Sequence, residues 1–184
     1  MKTLLRKDFI RISKIVLDEV VHALPPINPP AIVQQTQEYN PSYWYNRLNL
    51  SKLENDFDLP EKILLHLIDK ESKGDPEAVS KKGAAGLFGV IPIKSGYKGN
   101  IKDPAETALF VAKTLRYLID HFGSVEKGLA AYNWGMGNLA KKGLHQAPGE
   151  TKKYIKFFKE KGATADRKPV KGSWGEEGFK DSWQ

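Results

Sequence analysis

Cysteine is absent from the 184 residues. That excludes disulfides, thiolate metal sites and cysteine nucleophiles, and it leaves the redox compartment open. No run of eighteen apolar residues occurs either, so no transmembrane helix is expected. The opening "MKTLLRKDFIRISKIVLDEVVHA" has the early basic residue of a secretion signal. Arg6, Lys7, Asp8, Arg11, Lys14, Asp18 and Glu19 nevertheless interrupt its apolar segment, and no signal peptide is read. His22, His66, His121 and His145 are scattered without ligand spacing, so no metal is expected. No stretch of strand length alternates apolar and polar residues, which points to a mainly α protein.

What is present is a basic chain of one-domain length, with a net charge of +7. Such a surface favours polyanions: nucleic acid, anionic lipid or an acidic wall polymer. No Arg-rich or Gly-aromatic nucleic-acid motif accompanies it, so nucleic acid is not specifically indicated.

The organisation along the chain is uneven. Residues 3–23 carry Leu5, Phe9, Ile12, Val16 and Val20 on one helical stripe, followed by "LPPINPP", which stops a helix. The stripe can pack on its own domain, dock onto another protein, or lie on a membrane surface. Residues 1–57 are read as an N-terminal extension that also contains the aromatic cluster "YNPSYWYNRL". A helical block follows at 58–161, with Pro60 suited to a first helical position. "DPAETALFVAKTLRYLIDHF" opens with a capping-box pattern of Asp103 and Glu106, Ser124 can cap "VEKGLAAYNW", and "ETKKYIKFFKEK" is the last helix. Residues 162–184 form a polar C-terminal tail with Trp174, Phe179 and Trp183 as anchors for this core or for a partner.

Glu71 ends the apolar run "EKILLHLIDKE" on the same face as Leu64, Leu67 and Ile68. Desolvation there, together with the negative end of the helix, raises a carboxyl pKa, as a general acid requires. A solvated last-turn glutamate is the plain alternative. The neighbours favour chemistry. "GAAGLFGVIP" has glycines at 83, 86 and 89, which bring backbone close to something, and "AAYNWGMGNL" sets Tyr132 and Asn133 beside Gly135 and Gly137. Phenol and amide groups beside glycines suit a groove for a polar, ring-shaped ligand.

"ES" (71–72), Pro76, Ala78, Ser80, "GAAGL", Pro92, "DPAETA" and "AYNWGMGNL" together resemble the soluble lytic transglycosylase catalytic domain of the lysozyme-like superfamily, over about residues 58–160. The resemblance implies a lysozyme-like helical domain, related to goose-type lysozyme, that cleaves peptidoglycan glycan strands. It implies Glu71 as the sole catalytic acid and base, with Ser80, Phe88, Tyr132 and Asn133 lining the substrate site. The chain reads "GLFG" where the family reads "GLMQ" or "GLFQ", so Gly89 replaces a cleft-lining glutamine. The expectation is that restoring glutamine alters affinity only modestly.

In the implied reaction, which needs no organic cofactor, a proton from Glu71 cleaves the bond between N-acetylmuramic acid and N-acetylglucosamine, and the C6 hydroxyl closes a 1,6-anhydro end. Two alternatives stand beside it: a goose-type hydrolase using water, and a docking protein on a retained scaffold. A wall-degrading chain without a secretion signal suits a bacteriophage particle, with other virion proteins as partners through the N-terminal helix or the C-terminal tail. The lysines of 141–159 are either a solvated face or an attraction for an anionic wall polymer.

Overall fold

The computed structural model describes residues 40–165. The expected amphipathic helix at 3–23, the proline-rich segment and most of the C-terminal tail lie outside the described residues. The described chain is helical: α1 (Pro41–Arg47), α2 (Leu50–Asp56), α3 (Ile63–Glu71), α4 (Pro92–Ser95), α5 (Pro104–Phe122), α6 (Val125–Trp134), α7 (Met136–Lys142), a 3-10 turn (Leu144–Gln146) and α8 (Gly149–Glu160). Among the described residues there are no strands. Two isolated antiparallel bridges, Val79 with Ala85 and Ala85 with Val90, fold the glycine-rich segment back on itself. No described helix is long and apolar enough to cross a membrane.

The core forms around α3. Ile63, Leu64, Leu67 and Ile68 are all fully buried, and they meet Val111, Ala112 and Leu115 of α5, Leu129 of α6 and Phe158 of α8. These positions repeat every three or four residues, so each helix presents one apolar stripe to the same interior. The long helix α5 starts as its sequence dictates, with Asp103 accepting from the N–H groups of Ala105 and Glu106 and Pro104 in the first turn. Glu106 departs from the expected reciprocal cap. Its carboxylate takes the N–H of Asn100, because the N–H of Asp103 already donates to the Asn100 carbonyl. Gly123 ends the helix at φ +76°, and Ser124 caps α6 through the Lys127 N–H. A Cβ on Gly128 would sit 2.6 Å from Ile119 Cγ1, so glycine permits the close approach of α5 and α6.

The boundary expected at residue 57 falls inside the packed unit. Leu50 and Phe57 belong to the core, and both α1 and α2 pack on α3. Helix α3 also begins later than Pro60 suggested, at Ile63. Lys62, its N-cap, adopts a left-handed backbone with no side-chain cap of its own. The cap comes from α2. Buried Glu54 accepts from the N–H of Lys62 (2.9 Å) and of Leu64 (2.8 Å), and its second partner class is the Tyr45 hydroxyl at 2.7 Å. A carboxylate at this position meets orphan N–H groups and the positive end of the helix together.

The aromatic cluster at 39–48, opaque in the sequence, thus has two structural tasks. Tyr45 holds Glu54, and the Trp44 indole N–H donates to the Gly74 carbonyl (2.8 Å) in the turn that follows Glu71. Gly74 itself has φ +92°, and a Cβ there would lie 2.8 Å from the Asn40 nitrogen. Helix α3 is therefore held at its start by Glu54 and just past its end by Trp44.

Removing the Glu54 cap leaves two helix N–H groups and a phenol without partners. Glu54→Ala is expected to destabilise the protein by roughly 2–4 kcal/mol, read as a lower urea midpoint, with Glu54→Gln intermediate because one carbonyl acceptor survives. Equal stability of Glu54→Ala and the parent would show that the cap is dispensable.

Candidate functional site

Glu71 is the last residue of α3, where a turn containing two left-handed residues, Lys73 and Gly74, breaks the helix. Ser72 secures that turn. Its buried hydroxyl donates toward the Leu87 carbonyl (2.8 Å), with the Ile68 carbonyl at 3.2 Å, and accepts from the Gly74 N–H (3.1 Å). The same serine so ties the end of α3 to the glycine-rich segment.

The Glu71 carboxyl has two different environments at its two oxygens. Oε1 accepts a short hydrogen bond, 2.6 Å, from the Tyr154 hydroxyl on α8. Oε2 lies against backbone: a Cβ built on Gly89 would stand 2.7 Å from it and 3.1 Å from Glu71 Cβ. Gly89 has φ +61°, a conformation that favours glycine. The glycine-rich segment does bring backbone close to something, as its composition suggested, and that something includes the carboxyl group. Gly86 plays the companion part, since its Cβ would stand 2.7 Å from the Ile101 carbonyl oxygen.

Burial pushes the Glu71 pKa above the usual carboxylate range. The Tyr154 hydrogen bond and the nearby Lys70 charge pull it part of the way back, and Glu150 pushes it up. Desolvation wins because the carboxylate has one neutral donor and no direct ion pair to offset the lost water. Tyr154 and Tyr132 are both held well above the ordinary phenol value, by burial first and by the Glu71 charge second. Both phenols therefore stay protonated at neutral pH and serve as donors.

Tyr132 extends the cluster. Its hydroxyl donates to the Phe88 carbonyl (2.9 Å), fixing the backbone one residue before Gly89. Asn133, at the end of α6, accepts from the Thr151 hydroxyl of α8 at 2.9 Å. Its amide nitrogen has no partner among the described residues and is left to donate. The Thr151 bond joins α6 to α8 three residues from Tyr154, one helical turn away.

The other residues expected from the sequence take different places. Ser80 is exposed and closes the turn at 80–84: its hydroxyl accepts from the Ala84 N–H (3.0 Å), and its own N–H donates to the Ala84 carbonyl (2.7 Å). It makes no hydrogen bond to Glu71. Phe88 is a correction. Its side chain is 0% exposed and belongs to the core cluster, so only its carbonyl, held by Tyr132, faces the site residues. At Gly89 the absent side chain leaves room for the Glu71 carboxyl, which has to shift if a side chain is added there.

Tyr154 and Thr151 were missed. Their signal lay in the stripe Thr151, Tyr154, Ile155, Phe158 on α8, where a phenol and a hydroxyl interrupt a buried face. Among the described residues no cluster of three or more His, Asp or Glu could hold a metal ion.

Two substitutions test this geometry. Tyr154→Phe removes the donor that lowers the Glu71 pKa, so the alkaline limb of any activity requiring protonated Glu71 is expected to move to higher pH. The maximal rate should drop roughly tenfold, the worth of one hydrogen bond to the carboxyl. An unmoved pH profile would exclude Tyr154 as the controlling partner. Gly89→Ala is expected to cost about 1–2 kcal/mol of stability from its left-handed backbone, and about 10²-fold in activity from displacement of the carboxyl. Near-parental activity would show that Glu71 tolerates the added methyl group.

A relative described as "Transglycosylase", from Enterobacteria phage PRD1, is 28% identical over 94 residues, which cover 50% of this chain and 35% of the relative. The chain thus matches about a third of that relative's length. No solved structure matches. The family described as "Transglycosylase SLT domain" matches residues 49–155, more than half of the chain. That span begins beside Leu50 of the core and takes in both ends of the Glu71–Tyr154 hydrogen bond, and by this match the chain belongs to the transglycosylase SLT family.

Proposed function

We propose that the protein is a peptidoglycan lytic transglycosylase in which Glu71 is the only carboxyl group of the reaction. The observation that carries this reading is that, among the described residues, the acids near Glu71 in the sequence each have another partner, set beside the raised pKa of Glu71 itself. Two-carboxylate glycosidases place their groups about 5–9.5 Å apart, one as acid and one as nucleophile or base. Here the neighbouring acids have other work. Asp75 accepts from the Glu77 N–H, Glu77 pairs with Lys102, Asp103 caps α5, and Glu106 accepts from Asn100. Glu150, the acid whose charge reaches Glu71, pairs with Lys82 at 3.2 Å.

A single carboxyl suffices when the nucleophile belongs to the substrate. Protonated Glu71 donates to the glycosidic oxygen between N-acetylmuramic acid and N-acetylglucosamine, and the C1–O bond breaks. The substrate's N-acetyl oxygen stabilises the cationic C1. Carboxylate Glu71 then takes the proton of the C6 hydroxyl as O6 bonds to C1, leaving a 1,6-anhydro end and a reprotonated acid. Holding the attacking oxygen within the same sugar replaces a bound water by proximity. Tyr154 keeps the carboxyl aimed through both steps, and the Asn133 amide offers a donor to the sugar.

The setting we propose is a phage particle, acting locally on the host wall during genome entry. The phage origin of the matched relative supports it. Further virion proteins would then be partners, and their detection in purified particles together with this chain is the check.

Mass spectrometry of products from purified sacculi tests the reaction. Anhydro ends are expected; reducing ends would identify a hydrolase instead. Glu71→Gln should lose at least about 10²-fold in activity while remaining folded. Its stability also has a pH signature. Because the folded pKa is raised, burial of Glu71 costs nothing below about pH 4, where an unfolded glutamate is protonated. The cost then grows as pH rises from there through the raised folded value. The melting temperature of Glu71→Gln relative to the parent is therefore expected to improve between pH 4 and 7. A difference independent of pH would mean that the carboxyl is not desolvated.

A further inference from the structure

On the side of α8 next to the catalytic stripe lies an open groove of about 390 Å³, lined by Lys152, Ile155, Lys156 and Lys159 with Glu126 of α6 and Leu144 of the 3-10 turn. The four α8 residues follow one another at intervals of three, one and three, so they share one face. The adjacent stripe, Thr151, Tyr154 and Phe158, faces the core and Glu71. The charges within the groove do not cancel. Lys159 pairs with Glu126 at 2.8 Å, and Lys156 reaches Glu160 only at 3.6 Å. Lys152 has no ion-pair partner among the described residues. The floor is apolar: Ile155 is buried and Leu144 half-buried.

From this combination we infer that the groove binds the carboxylates of the peptide stems carried by the glycan strand, an inference that rests on peptidoglycan being the substrate. The chemistry is complementary, since stem peptides carry several carboxylates separated by short apolar stretches, and the groove offers lysines separated by Ile155. The dimensions agree as well. The seven helical rises from Lys152 to Lys159 span about 10 Å, the length of roughly three extended peptide residues. The placement agrees too. Lys152 directly follows Thr151, whose hydroxyl holds Asn133, so the groove begins one residue from the edge of the site. A strand lying at Glu71 can lay a stem along α8 without a second domain.

The test uses the full chain and two arms. In the first, the synthetic peptide L-alanyl-γ-D-glutamyl-diaminopimelate is titrated by NMR against the parent and against the Lys152→Gln/Lys156→Gln double variant. Shifts at Lys152, Ile155 and Lys156 are expected in the parent. The affinity should fall roughly five- to tenfold in the variant and in the carboxyl-amidated peptide, the scale of two screened ion pairs. In the second arm both proteins digest sacculi and glycan strands stripped of peptides by an amidase. The variant is expected to show a raised KM with unchanged kcat on sacculi only. Equal loss on both substrates, an equal response to the amidated peptide, or a response to polyphosphate but not to the stem peptide would each overturn the assignment. Both substrates remaining uncut by the parent would defeat the proposed reaction, and the peptide titration would still decide the groove.

Discussion

The proposed role of Glu71 asks for a carboxyl group that is kept from water and still reached by substrate, and the packing around Glu71 meets the first of these demands. The carboxyl needs a helix end, so that backbone does not enclose it. It needs apolar neighbours below, supplied by Leu64, Leu67 and Ile68. It needs one neutral donor, because an ion pair would return it to the ordinary carboxylate range. Tyr154 supplies that donor, and its own burial keeps the phenol protonated. Backbone at Gly89 fills the remaining side without adding a charge or a side chain.

The rest of the described unit holds these few groups in place. Glu54 and Trp44 fix the two ends of α3, Ser72 ties its end to Leu87, and Tyr132 fixes Phe88. Arg116 is another buried charge in this frame; it donates to the Asp58 carbonyl and pairs with Asp120, anchoring the connection into α3 to the middle of α5. Polar groups inside the unit are thus spent on holding backbone, while the carboxyl of Glu71 is left with a single neutral donor. The two glutamates at opposite ends of the α3 region illustrate the difference. Burial raises both, but Glu54 meets three donors and acts as a cap, whereas Glu71 meets a single phenol.

The helices with strong local signals were legible in the sequence. Asp103–Pro104, Gly123–Ser124 and the apolar spacing of 63–71 specify their elements through short-range physics, and the structure places them accordingly. Glu71 was legible for the same reason, since its face could be read from its own helix. What escaped were contacts between residues far apart along the chain. Nothing local marks Tyr154 as the partner of a residue 83 positions earlier, or Glu54 as the cap of a helix it does not belong to. Gly89 was legible as unusual. Its departure from the family suggested a lost contact, and the distance to Glu71 adds a close approach that the sequence did not show.

Helix α8 carries Tyr154 and Thr151, so the site is complete only once this helix has packed against α3 and α6. Until α8 docks, Glu71 has an apolar floor but no phenol above it, and water reaches the carboxyl and restores its ordinary acidity. The raised pKa of Glu71 thus depends on closure of the tertiary structure, together with the burial of Phe158 and Ala163. A chain in which this helix has not packed lacks the buried, phenol-bonded carboxyl on which the proposed reaction rests.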